Sequence, residues 1–195
     1  MHQPHGNGND SSKEIHRLEE AVEAETKAIE SNPSDAQAYF RRGVVYGQLV
    51  QPLLAIEDFT SVIQYEPDNA EAYYNRGMAH IHLQQLSLAI EDFTKTAEIE
   101  PTHIHAINNR AMAHYEAFQF ELAIEDAEKT LSINPKLGSA YAVRAMSRAR
   151  LGDDEAARDD TAKAVECGFD GRVLGALITQ ARMGRKDRKR PGEES

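Results

Sequence analysis

The sequence predicts an all-α chain of 34-residue helix-turn-helix repeats, and three residue series in one register predict it. Pro33, Pro67, Pro101 and Pro135 stand 34 residues apart, each preceded by Asn or Glu. Ala55-Ile56-Glu57-Asp58-Phe59, Ala89-Ile90-Glu91-Asp92-Phe93 and Ala123-Ile124-Glu125-Asp126-Ala127 keep the same spacing, and Ala157-Arg158-Asp159-Asp160 continues it. Arg42-Gly43, Arg76-Gly77, Arg110-Ala111 and Arg144-Ala145 form the third series. Three markers with a common period identify internal repeats, each a supersecondary unit that buries its apolar face only against its neighbours.

The elements follow in order. Residues 1–12 are polar and rich in Gly and Asn, with no apolar core for a secretory signal, and are expected to be disordered. Residues 13–34 read as the second helix of a partial repeat, with Ala21, Ala28 and Pro33 in register. Four full repeats then span 36–69, 70–103, 104–137 and 138–171. In the second, Tyr73, Gly77, His80 and Ile81 share one helical face, and Leu88, Ala89, Phe93 and Thr96 share another. A polar break at Gln84 and Gln85 separates the two helices, and proline ends each repeat because it cannot continue a helix. Pro52 falls where a second helix begins, the position at which its missing N–H costs least. Val173, Leu174, Leu177 and Ile178 form an apolar stripe on a capping helix over 172–184, followed by a basic tail at 185–195, expected to be disordered.

Small residues set the packing. Gly43, Gly77, Ala111 and Ala145 recur on the first helices, and Ala55, Ala89, Ala123 and Ala157 on the second. A glycine inside a helix costs about 1 kcal/mol relative to alanine, so its recurrence at one position points to close approach of two helices. Tyr39, Tyr73, Tyr141, Phe59 and Phe93 fill the flanking space.

Charge and chemistry narrow the function. The net charge is −10. From Arg172 onward there are 7 Lys/Arg against 3 Asp/Glu, and before it 15 against 29. An acidic body repels phosphate backbones and favours basic peptides or proteins. The single cysteine, Cys167, permits no internal disulfide and suits a reducing, cytoplasmic setting. No stretch reaches the length of a membrane-spanning helix. Neither His80 with His82 nor His103 with His105 has the i, i+4 spacing of a helical metal site, and no Gly-rich phosphate loop occurs. The Glu-Asp doublets recur with the period, as structural or surface residues do. No catalytic residue, metal ligand, cofactor or small-molecule substrate is expected.

This pattern resembles the tetratricopeptide repeat family from Leu18 to about Gly171. Its large fourth residue is met by Tyr39, Tyr73, Ile107 and Tyr141; its eleventh by Tyr46, His80, His114 and Arg148; its twenty-fourth by Phe59, Phe93, Ala127 and Thr161. The match weakens along the chain, and Phe169 stands where the fourth proline belongs. The resemblance implies a right-handed α-solenoid with terminal capping helices, whose first helices line a concave groove that binds protein or extended peptide. The groove positions it implies are Phe40, Arg41, Val44, Tyr74, Asn75, Met78, His82, His105, Asn108, Asn109, Met112, Tyr115 and Met146. Val44, Met78, Met112 and Met146 would form an adaptable apolar line, and the amides of Asn75 and Asn109 would pair with a peptide backbone. The carboxylate clamp of some co-chaperones of this family has Lys and Asn where Phe40 and Val44 stand here, and Lys and Arg where His105 and Asn109 stand; only Asn75 matches it. A non-enzymatic binding adaptor or scaffold is therefore expected. The alternatives are a self-associating scaffold, or an anchoring protein whose basic tail meets nucleic acid, an anionic membrane, or the acidic body of its own or another copy.

Overall fold

The computed structural model describes residues 7–186, and the side chains of 12–185. Ten helices follow in order among the described residues: α1 Asn7–Ser31, α2 Ala36–Gln48, α3 Pro52–Tyr65, α4 Ala70–His82, α5 Leu86–Ile99, α6 Ile104–Glu116, α7 Phe120–Ile133, α8 Gly138–Leu151, α9 Asp154–Glu166 and α10 Gly171–Lys186. The fold class is the expected all-α helical repeat. Helix α1 starts inside the segment expected to be disordered, and α10 reaches Lys186, into the expected tail; the rest of that tail, 187–195, lies outside the described residues.

Helix ends obey the period. Asp35, Asn69 and His103 cap α2, α4 and α6, their side chains accepting from the N–H of Ala38, Ala72 and Ala106 at 3.1, 2.9 and 3.1 Å. Proline occupies the first turn of α3, as its sequence context requires. Between paired helices the chain turns through one left-handed residue per repeat: Val50 (φ 55°), Gln84 (57°), Phe118 (62°) and Gly152 (96°). The following N–H then reaches back to the helix, as from Gln51 to the Tyr46 carbonyl at 2.9 Å and from Gln119 to that of His114 at 2.8 Å.

Only the last of these four turn residues is glycine. A β-branched side chain in the left-handed region is strained by about 1–2 kcal/mol, and part of that would be offset by the unfolded-state freedom of glycine. Val50→Gly is therefore expected to raise the unfolding free energy by about 0.5–1 kcal/mol. Urea titration checks it, and a variant no more stable than the parent would contradict the strain.

The chain divides into two compact units, Met1–Lys95 and Thr96–Ser195, with the division inside α5. In the first, α1 packs on α2, α2 on α3 and α3 on α4. In the second, α6, α7, α8 and α9 pack in succession, and α10 lies chiefly on α8. Phe59 and Phe93, 2% and 0% exposed, fill the space left by Gly43 and Gly77. A Cβ on those glycines would stand 3.0 and 2.8 Å from the respective rings.

Each repeat carries one buried ion pair across its two helices. Arg42, Arg76, Arg110 and Arg144 each donate through Nε and Nη2 to both oxygens of Asp58, Asp92, Asp126 and Asp160, at 2.6 to 2.9 Å. Arg42 and Arg76 also donate to Thr26 and Thr60 of the preceding helices, α1 and α3, at 3.0 and 3.1 Å. The guanidiniums of Arg76 and Arg144 stack on Tyr73 and Tyr141, both 5.5 Å from the ring centre.

Candidate functional site

In the first unit five of the seven expected groove residues, Val44, Tyr74, Asn75, Met78 and His82, line a cavity of about 370 Å³. Its walls are Val44 and Gly47 from α2 and Tyr74, Asn75, Met78 and His82 from α4. Phe59 and Ala55 of α3 form the floor, and Val50 with Pro52 closes one end. Two glycines, Gly43 and Gly47, also line it. Gly43 is required by the Phe59 ring, whereas a Cβ on Gly47 would meet nothing within 4 Å. Gly47 thus carries the helix cost of glycine with no packing need for it.

The polar groups of this wall are few. Asn75 Nδ2 donates to the Glu71 carbonyl of its own helix at 2.7 Å. That leaves one N–H of the amide and its oxygen for a ligand. His82 is exposed. Arg41, expected in the groove, is engaged elsewhere: Nε and Nη2 donate to both oxygens of Glu25 on α1 at 2.8 Å. Phe40 belongs to packing, its ring 5.7 Å from that of Phe59, and Tyr74 lies 5.9 Å from Phe93 while still lining the cavity.

The second unit treats the equivalent residues differently. His105 is exposed, and Asn108 Oδ1 accepts from Ser139 at 3.4 Å. Asn109 is partly buried. Met112 and Tyr115 pack against a buried cluster that includes Met146, Leu174 and Ile178. Burial pushes the Tyr115 phenol up from its ordinary value. Met146, expected on the groove, is only 2% exposed. The reason is α10, which lies over that face of α8. The capping stripe is also rotated from expectation: Leu174, Ile178 and Ala181 are buried, and Val173 is 52% exposed. The asparagines expected to act as a pair fall in different units, as do the two halves of the Val44/Met78 and Met112/Met146 line.

Sequence reasoning missed Val50, Pro52 and Phe59 as cavity residues. The one signal for Val50 was its place in the same 34-residue register as Gly152. The histidines have structural partners: His80 and His114 Nδ1 pair with Gln85 and Gln119 at 2.7 and 2.6 Å, and His103 is a helix cap. Among the described residues no group of three or more His, Cys, Asp or Glu is placed to hold a metal ion, and no helix is long and apolar enough to cross a membrane.

Tetratricopeptide repeat models match residues 36–69 and 70–103, the first two full repeats. No curated protein matches the chain. Among solved structures, MamA aligns at TM-score 0.76 and 22% identity, covering 84% of this chain and 96% of its own. YrrB, described as a TPR protein with an unusual peptide-binding site, aligns at 0.75 and 21%, covering 89% of this chain and 88% of its own. A MamA fragment from Desulfovibrio magneticus RS-1 aligns at 0.74 and 20%, covering 82% of this chain and 91% of its own. At such identities the likeness carries the fold, and the function has to come from the site.

Proposed function

The chain is a tetratricopeptide repeat protein, and we propose that it is a non-enzymatic adaptor that binds a basic protein or peptide segment in the cavity of its first unit. The observation that carries this reading is Gly47. A helix glycine with open space beyond it, lining an apolar cavity, keeps a site clear that alanine or leucine would narrow. Val50 supports it: an apolar side chain held 73% exposed and left-handed at the rim suits contact with a partner better than packing. The similar fold of YrrB, a protein described by its peptide-binding site, agrees with this use of the scaffold.

Charge gives the ligand its sign. Residues 1–95 hold 7 Lys/Arg against 15 Asp/Glu. Lys27, Arg41, Arg42 and Arg76 are already spent on internal pairs with Glu23, Glu25, Asp58 and Asp92. A cationic segment is drawn to such a surface, and an acidic one is repelled.

The test is affinity capture from native lysate with the parent chain and with Met78→Lys, read by quantitative mass spectrometry. A cation placed among Val44, Tyr74 and Phe59 fills the apolar cavity and repels a basic segment, so capture should fall at least about tenfold, the equivalent of 1.4 kcal/mol. Melting of the variant within a few degrees of the parent shows that folding is retained. Undiminished recovery of every partner by the folded variant would remove the cavity from the reading.

A further inference from the structure

In the second unit a helix of the chain itself covers the corresponding face. At the positions of the fourth repeat that the resemblance assigns to the groove, Ala142, Val143, Met146 and Ala149 are 1%, 0%, 2% and 0% exposed. Their counterparts in the first repeat, Phe40, Arg41, Val44 and Gly47, are half-buried or exposed. The cover is α10, which packs chiefly on α8 and sets Leu174, Ile178 and Ala181 into the same buried cluster. Those three residues stand at i, i+4 and i+7, one helical face. Within Gly171–Lys186 there are four Lys/Arg and no Asp or Glu. Two of the arginines dock the helix: Arg182 Nε donates to Asp154 Oδ1 at 2.9 Å, and Arg185 donates through both Nη atoms to Oδ2 at 3.3 Å.

The polar part of the attachment is weak. The docking arginines keep 38% and 37% of their side-chain surface in solvent and Asp154 keeps 36%, so water and salt weaken the pairs. Gly175 lies inside the helix, and a Cβ there would meet nothing within 4 Å. Packing does not require that glycine, yet it weakens the helix relative to alanine. The link from α9 passes through Gly168 at φ 89°, the left-handed conformation that glycine adopts without steric cost.

We propose that the face of α8 covered by α10 is a binding site for a basic amphipathic helix of a partner protein, and that α10 occupies it in cis as an exchangeable ligand. The matching partner helix presents small or aliphatic residues at i, i+4 and i+7. It carries arginine at i+8 or i+11 to replace Arg182 or Arg185 on Asp154. This site is separate from the cavity of the first unit, and Met78→Lys is expected to leave it unchanged.

The probe is a fluorescent peptide with the sequence of residues 171–186, titrated against the full chain in anisotropy. Arg182→Glu with Arg185→Glu loosens the resident helix and is expected to bind the peptide at least about tenfold tighter than the parent. Gly175→Ala is expected to bind it several-fold more weakly, and a peptide with Leu174→Asp and Ile178→Asp not to bind. Equal affinity of the folded double variant and the parent would overturn the proposal. Should the double variant fail to fold, hydrogen exchange of the parent decides: amides of 171–186 exchange faster with saturating peptide if α10 is displaced, and unchanged exchange rejects displacement. A dimer of the parent that the Leu174→Asp chain cannot form would place the ligand in a second copy, and the partner-protein assignment would fall.

Discussion

Asp160→Ala is expected to lower the unfolding free energy by about 3–5 kcal/mol, the scale for removing one member of a buried, fully bonded ion pair. Asp160 is 1% exposed. It accepts from Arg144 through Nε and Nη2 at 2.9 and 2.7 Å and from Arg148 through Nη1 at 2.7 Å. Alanine would strand two guanidiniums in a poorly solvated space, with Glu128 at 3.6 and 3.4 Å as the remaining acid nearby, itself half exposed. The loss would come from the uncompensated charges more than from the missing attraction. Asp159→Ala is the control: the neighbouring carboxylate is exposed, so its removal should change stability by no more than about 0.5 kcal/mol. Chemical denaturation of both variants reads the difference, and a cost at Asp160 below about 1 kcal/mol would show that the pair is not what holds the repeat.

The ion pairs show how much the sequence disclosed and where it stopped. Arginine at 42, 76, 110 and 144 and aspartate at 58, 92, 126 and 160 were both legible as periodic marks. Their pairing was not drawn from them, because each aspartate follows an acidic or charged neighbour that reads as surface. Successive residues of a helix point about 100° apart, so Glu57, Glu91 and Glu125 are exposed while the adjoining aspartates are buried. A constant offset of 16 residues between the two series, across one hairpin, was the signal available. The fourth repeat looked worn for a related reason. Arg148 stands where earlier repeats have Tyr46, His80 or His114, yet it donates to the same aspartate that His80 and His114 approach at 3.7 and 3.8 Å in their own repeats. A different side chain serves the same acceptor.

The candidate site was less legible than the fold. Val44, Tyr74, Asn75, Met78 and His82 do line the first-unit cavity, since a helix face follows from position in the period. Burial of Met146 did not follow, because it depends on α10, an element outside the period whose docking is decided by tertiary packing. The same limit applies to Arg41. Its partner Glu25 lies on α1, in the half-repeat whose helix extends further than its repeat register required.

Phe93→Ala is expected to cost about 3–5 kcal/mol, the range for deleting a buried aromatic ring. Phe93 is 0% exposed and its ring lies 5.9 Å from Tyr74, so the void would open directly beneath the cavity wall. Gly77 lies on the opposite helix, where a Cβ would stand 2.8 Å from Phe93 Cε1, and Gly77→Ala alone should cost about 1–3 kcal/mol through overpacking. The two changes are coupled, because the methyl that clashes with phenylalanine has room beside alanine. The double variant should therefore be more stable than the sum of the singles predicts by at least about 1 kcal/mol. The third repeat already contains that solution: Ala111 and Ala127, both 0% exposed, stand where Gly77 and Phe93 stand in the second. Strict additivity in the double-mutant cycle would mean that ring and glycine were selected independently. Positive coupling would make the apparent fading of the repeat pattern a change of paired solutions, with the distance between the two helices adjusted to the pair that fills it.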